Sequence, residues 1–317
     1  LTQTMIAYKL RDWISLDKLV WAMLSCMPQA YFILEAYPEQ IYNWGRLSMD
    51  SRAIRILEAN QEMIDWEKLS ANPAAIHLLE ANLDKIDWKL LSANPAAIHL
   101  LEANPDKIDW SMLSKNTDAI DLLEANPDKI DWSILSINPT AIHLLEANPD
   151  KIDWVCLSRN PAAIRLLKTN PDKIDWDFLS SNSSSIELLE ANQDRLNWKL
   201  LSINPAAIHL LEANLDKIDW DFLSTNSAAI HLLEANPDKI DWAELSENPA
   251  AIHLLEANQN KIEWWTLSVN PGIFTYDYDL MMQERKQIRY GLIEYLHQPR
   301  FIEQWLNTGN DIEDYLM

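Results

Sequence analysis

Glycine is nearly missing from this chain: 4 residues in 317, against the ~7% of an average protein. That excludes glycine-rich phosphate loops and dinucleotide fingerprints, which need glycine for tight turns and close backbone approach. Cysteine is as scarce, with 2 residues, so there is no disulfide framework and a reducing, intracellular setting is expected. Positive charge is short: 26 Lys+Arg face 48 Asp+Glu, a formal net charge of −22. Nucleic acid is therefore not an expected partner, because phosphate binding needs clustered Lys and Arg. No apolar run approaches the ~20 residues of a membrane helix, and no signal peptide is seen. The sequence opens on Leu1 rather than methionine, which is compatible with an upstream segment.

Tryptophan, by contrast, is abundant, with 15 copies, and the apolar share of 48% is that of a folded protein. The tryptophans give the organisation. Trp44, Trp66, Trp88, Trp110, Trp132, Trp154, Trp176, Trp198, Trp220, Trp242 and Trp264 follow one another at 22 residues. Trp21 precedes Trp44 by 23, the extra residue falling at Tyr42-Asn43. The unit reads W-x-x-L-S-x-N-P-A-A-I-H-L-L-E-A-N-P-D-K-I-D. A fixed period in this range means stacked units that share a continuous core with their neighbours.

Each unit carries its own start and stop signals. Asn72-Pro73 reads as a helix start, with Asn capping free N–H groups and Pro suited to the first helical position; Asn94, Asn116 and Asn138 repeat it. A helix over residues 73–81 follows, with Ala75, Ile76, Leu78 and Leu79 on one arc and His77 and Glu80 on the other. Asn82, and likewise Asn104 and Asn126, ends the helix, in a left-handed conformation that Asn tolerates. Pro/Leu-Asp-Lys is then a turn. Residues 86–92 form a second, short helix, α or 3₁₀, capped by Asp87 with Trp88 and Leu91 on one face. Trp66, Trp88, Trp110, Trp132, Trp154, Trp176, Trp198, Trp220 and Trp242 are assigned to the core by their shared period with Ile and Leu. The competing reading is a leucine-rich horseshoe, which needs an apolar residue five before the Asn. Glu67, Lys89, Ser111, Ser133, Val155, Asp177, Lys199, Asp221, Ala243 and Trp265 stand there, most of them polar, so that reading ranks second.

The expected architecture is all-α: a right-handed solenoid of about twelve two-element units. Its expected divisions are an N-terminal capping helix within 1–20, repeats over 21–271 and a helical C-terminal cap over 272–317. At ~8–10 Å per unit the open array would be ~100 Å long. The cap would cover the apolar face of the last unit, with a long helix over 279–297 and a shorter one over 300–307.

The unit L-S-x-N-P-x-A-I-x-L-L-E-x-N-P-D-K-I-D-W resembles a 22-residue repeat of giant nucleocytoplasmic DNA viruses. The closing segment is similar too: Asn270-Pro271-Gly272-Ile273-Phe274, Tyr278-Asp279, and Gln298-Pro299-Arg300-Phe301-Ile302-Glu303-Gln304-Trp305-Leu306. Here Gln298-Pro299 replaces the His-Pro of that pattern, with His297 one place earlier. The resemblance covers roughly residues 16–317 and implies a viral repeat protein, in the host cytoplasm or the virion, with no activity attached. At fold level the unit is also similar to leucine-rich-repeat-variant solenoids.

The polar arc holds the candidate chemistry. His77, His99, His143, His209, His231 and His253 each precede a Glu by three residues, a spacing that suits metal ligation on one helix face. Asp121, Arg165 and Glu187 occupy the same place in other units, and a metal site does not tolerate Arg; no cofactor or metal is expected. Repetition does make a surface. His77, Glu80, His99, Glu102, Glu124, His143, Glu146, Asp150, Arg159 and Arg165 are the candidate binding face, read as acidic and variable and suited to a basic protein partner. The most variable positions are the first after each Trp and the one before each Asn cap. These features favour a non-enzymatic scaffold for protein–protein interaction. A virion structural or packing component is the alternative, and a metal protein or hydrolase built on the His-x-x-Glu stripe the remote one.

Overall fold

A computed structural model of the chain describes residues 8–283 and 285–286. Two units can be separated: Ser15–Ile273, and a second made of the segments Leu1–Ile14 and Phe274–Met317. The larger is an all-α repeat solenoid of Trp-initiated helices, from Trp21–Leu24 to Trp264–Leu267, alternating with Ile-initiated helices such as Ile76–Glu80.

Most units add two 3₁₀ turns to the two helices expected. Between Asn72 and Ser92 the chain forms a 3₁₀ turn (Pro73–Ala75), an α-helix (Ile76–Glu80), a second 3₁₀ turn (Leu83–Lys85) and the Trp helix (Trp88–Ser92). The 73–81 helix thus begins as a 3₁₀ turn, and the same turn forms without proline at Ser183–Ser185 and Ser227–Ala229. The second Asn also corrects its expected conformation. Asn82 lies at φ −140°, ψ 54°, outside the left-handed region. It ends the helix through its side chain, whose Nδ2 donates to the Leu78 carbonyl at 2.9 Å. Asn104 and Asn126 repeat that bond on Leu100 and Leu122, also at 2.9 Å.

Leucine fills the core. Leu69, Leu79, Leu91 and Leu101 are fully buried, with Ala75 and Ala97 between them where the helices come close. Removing such a Leu side chain costs ~2–5 kcal/mol. The repeated Trp, expected in this core, is instead half-buried from Trp66 through Trp242. One ring face packs inward and the other is covered by a cation. Lys85 Nζ lies 4.2 Å from the centroid of Trp66, Lys107 4.5 Å from Trp88 and Lys129 4.4 Å from Trp110. The Lys always comes from the following unit.

The same stacking contacts join the last unit to the first. In the interior, the Asp87 N–H donates to Ser70 Oγ at 2.9 Å, and the pattern recurs from unit to unit. Val20, the residue before Trp21, donates its N–H to Ser268 Oγ at 2.9 Å. Lys18 Nζ lies 4.9 Å over Trp264. Leu19, Leu24 and Leu267 are buried accordingly. Residues 248 apart in sequence therefore meet as if they were neighbouring units, and the twelve Trp helices form a closed ring. The apolar face of the last unit is covered by the first unit, which corrects the expectation of an open array.

The second unit contains a small sheet. A strand β1 (Tyr8–Leu10) pairs antiparallel with β2 (Phe274–Tyr276), Tyr8 opposite Tyr276 and Leu10 opposite Phe274. The two tyrosine rings stack at 5.3 Å. Within the range of the expected N-terminal capping helix, Tyr8–Leu10 is a strand and Leu16–Lys18 a 3₁₀ turn. Helical backbone covers 278–283 and 285–286; the remainder of the predicted 279–297 helix and all of the 300–307 helix lie outside the described residues. At Gly272, in the last 3₁₀ turn of the repeat, a Cβ would stand 2.3 Å from Ile252 Cγ1.

Closure is directly measurable. With Cys26 and Cys156 replaced by Ser, spin labels at Ala22→Cys and Trp265→Cys should report a distance of about 10–20 Å, that of adjacent packed helices plus linkers. An open array would place them near ~100 Å.

Candidate interaction surface

The surface rests on a rigid framework. Ser70 Oγ donates to the Trp66 carbonyl at 2.9 Å and accepts the Asp87 N–H from the next unit at the same distance. It is fully buried. The helix-starting Asn works in both directions. Asn116 Oδ1 accepts the Asp118 N–H at 3.0 Å, while its Nδ2 donates back to the carbonyls of Ser92 (3.1 Å) and Asn94 (3.0 Å). Asn72, Asn94 and Asn138 do the same kind of work, capping their own turn and holding the preceding unit. Capping was predicted for these residues; the backward bond was not, because its partner lies 22–24 residues away.

The His stripe pairs across units. His77 Nε2 meets Glu58 Oε1 at 2.9 Å, His99 meets Glu80 at 2.9 Å, and His143 meets Glu124 at 2.8 Å. The partner is the Glu 19 residues earlier, not the Glu three residues later. Arg165 continues the series on Glu146 at 2.5 Å. The next rung is inverted: Lys168 occupies the Glu place and pairs with Glu187 in the His place. This exchange keeps the rung complementary, which identifies the column as an inter-unit bridge. Glu80, Glu124 and Glu146 are therefore engaged carboxylates rather than a bare acidic ridge. Asp121 is the exception, standing 19 residues after Glu102, in the His place, with a like charge. Asp150 is exposed in its turn. Among the described residues, no group of three or more His, Cys, Asp or Glu is arranged to hold a metal ion.

Asp153 and Cys156, at the start of the Trp154–Ser158 helix, carry shifted ionisation. Asp153 is held below the usual carboxylate range, foremost by the Cys156 N–H that it caps at 3.0 Å. The Cys156 thiol is pushed up by burial and by that carboxylate, the reverse of an activated nucleophile. Because the folded state lowers the pKa of Asp153, the stability it contributes is present above the ordinary carboxylate range and is lost as pH falls through the lowered value.

The variable positions belong to the Trp helices, and this separates them from the His–Glu rungs. Glu67, Lys89, Ser111, Ser133, Val155 and Asp177 are all exposed, one per unit. The position before the Asn cap is equally open at Lys115, Ile137 and Arg159. Successive Trp helices pack closely along the array, as do successive 3₁₀ turns after the Asn cap, whereas successive Ile helices do not. In a closed ring the crowded side is the inner one. The Trp helices therefore form the inner wall of the ring. Of the predicted binding face, Arg159 alone lies on this wall; His77, Glu80, His99, Glu102, Glu124, His143, Glu146 and Arg165 lie on the Ile helices, and Asp150 on the following turn.

Comparison with protein-family models, with curated proteins and with solved structures finds no match.

Two stability outcomes check this framework. Trp132→Ala should cost less than the ~3–5 kcal/mol of a fully buried Trp. Lys151→Ala, which uncovers the same ring (4.6 Å), should cost ~0.5–1 kcal/mol, with the two changes less than additive in urea denaturation. Separately, Asp121→His should raise the urea midpoint, since it completes the rung opposite Glu102; a lowered midpoint would show that the column is not a bridge.

Proposed function

We propose that this protein is a non-enzymatic scaffold that binds another protein on the inner wall of the ring. One observation carries the reading: a framework repeated almost without change presents, on each Trp helix, exposed side chains that differ from unit to unit in size and charge. The framework is held mainly by Leu, Ser and Asn, while the variable columns add only local contacts to the next unit, such as Ser111 to Asp131 and Ser133 to Asp153. Identical backbone carrying different side chains is how a repeat array acquires specificity. The resemblance to giant-virus repeats supports a viral protein acting in the host cytoplasm or within the virion. A structural or packing role in the virion is the second reading, favoured by the uniform Ile-helix surface, where the same rung recurs along the ring.

A photo-crosslinking side chain at Val155, on the inner wall, and another at Asp150, off it, test the site. In extracts of infected cells, position 155 should capture one protein reproducibly and position 150 should not. Capture in purified virions only, from both positions, would favour the structural reading. Equal, diffuse labelling from both positions in all samples would overturn the inner-wall assignment.

A further inference from the structure

The ladder of cations over indoles has two gaps. From Trp66 to Trp242 the residue 19 places after each Trp covers its ring, as Lys in eight units and as Arg195 over Trp176. Trp264 takes Lys18 across the closure. At Trp21 and Trp44 the same place holds Gln40 and Met63. Among the described residues no cation stands over either ring. Both indoles are half-buried, like those that the ladder covers. Met63 is 44% exposed, and its unbranched chain adapts readily to a neighbour that takes its place. Trp21 meets the Tyr37 ring edge-on at 5.6 Å. The Tyr42 hydroxyl donates to Gln40 Oε1 at 3.5 Å.

The charge around the gaps is acidic. The two turns concerned, Pro38–Gln40 and Gln61–Met63, keep the acidic residue of the repeat, as Glu39 and Glu62, and lose its Lys. Both carboxylates are exposed. Glu35 and Glu58, near the ends of the preceding Ile helices, and Asp65, after the second turn, add to them; Glu58 is held by His77 at 2.9 Å. Against these five carboxylates stand Arg55 and Arg46. Asp50 and Arg52, in the turn after the Trp44 helix, pair with each other at 3.0 Å. The flanking turns are balanced, Asp17 with Lys18 and Asp84 with Lys85, and each Lys is already over an indole. The excess of carboxylates has the sign of the whole chain, at −22. Apolar surface accompanies it. Tyr37 and Tyr42 are exposed, and a groove of about 360 Å³ is lined by Leu34, Pro38, Ile56 and Ala59, together with Glu35 and Arg55.

We propose that the uncovered faces of Trp21 and Trp44 receive Lys or Arg side chains from a basic, apolar-containing segment of a partner protein, which completes the ladder from outside. The chain supplies its own template: nine indoles in the same local setting, from Trp66 to Trp242, each hold a cation at 4.2–5.3 Å. The carboxylates of the two turns favour the same charge and repel a polyanion such as nucleic acid. Spacing sets the ligand's pattern. Adjacent units lie ~8–10 Å apart, and an extended chain advances ~3.3 Å per residue. Basic residues three apart therefore reach both rings. The site is built from the turns and the indole faces beside them, not from the variable columns of the wall, so it stands independently of the reading above.

The test is selection of a random 12-residue displayed peptide library on the immobilised full-length protein, followed by anisotropy measurements on the enriched peptides. Enriched sequences should carry Lys or Arg three residues apart with an apolar residue beside them. The double variant Gln40→Lys, Met63→Lys fills both places from within and should weaken these peptides ~10-fold or more. Met63→Ala, which uncovers the Trp44 ring, should bind at least as tightly as the wild type. Gln61→Lys adds the same charge to the same turn, two residues from the place over Trp44, and should weaken binding only ~2–3-fold. The urea midpoint of Met63→Lys should equal or exceed that of the wild type, because it copies the ladder. A lowered midpoint would overturn the proposal, since the place would not accept a cation. Enrichment of acidic or uncharged peptides, or of none, would overturn it as well. So would equal binding by the double variant, or equal losses in Gln61→Lys and Met63→Lys. Each of these failures leaves the inner-wall reading to its own crosslinking at Val155.

Discussion

The fold depends on one buried hydroxyl per unit. Ser70 and its equivalents sit where the Trp helix of one unit meets the backbone entering the next, and the oxygen donates to one and accepts from the other. A buried donor without a partner costs ~1–3 kcal/mol, so the bond is worth most as a constraint on geometry. It fixes how far each Trp helix stands from the next. The Asn that follows two residues later holds the same interface from the opposite side, by donating to carbonyls of the preceding unit. Together they leave little freedom in the rise and rotation from unit to unit, and Leu fills whatever volume remains.

Polar repetition has a further effect. In most cores, polar side chains are isolated and each must find a local partner. Here Ser and Asn are buried in every interior unit, and their bonds run along the array, so one satisfied interface specifies the next. The Lys–Trp contacts and His–Glu rungs run along the same direction closer to solvent. They are individually small, and the exposed rungs are weakened by salt. Their value lies in register: a slip of one unit keeps most of them, but a slip of one residue loses them all.

Much of this was legible in the sequence. The 22-residue period, the Asn starts, the Asp caps and the Leu core are local signals, and each acts within one helical turn. What the sequence concealed depends on distances longer than a unit. The partner of His77 is Glu58, in the previous unit, although Glu80 is nearer in sequence. The Trp period matched that of the core, yet the indoles from Trp66 on keep one face for a Lys, or at Trp176 an Arg, of the next unit. The stop at Asn82 looked like a backbone effect and is a side-chain bond. Most of all, the meeting of Val20 with Ser268 follows from a curvature that no single unit displays. A small rotation at each interface accumulates only when all of them are assembled. The candidate surface was legible in part: the variable positions were identified, while their separation from the Glu–His column required the helices to be placed.

Closure also turns length into a count. An open stack of near-identical units gains or loses one by recombination and merely becomes longer or shorter. A ring of twelve divides a full circle into turns of 30° (360° over twelve Trp helices), and the buried Ser and Asn bonds set that turn. A thirteenth unit would demand ~28° at every interface, or leave a gap where Val20 now meets Ser268. The chain is repetitive enough at the residue level to invite such changes, yet its geometry penalises them. Copy number is thereby a folded-state property, held by the same hydroxyls that hold each pair of neighbours.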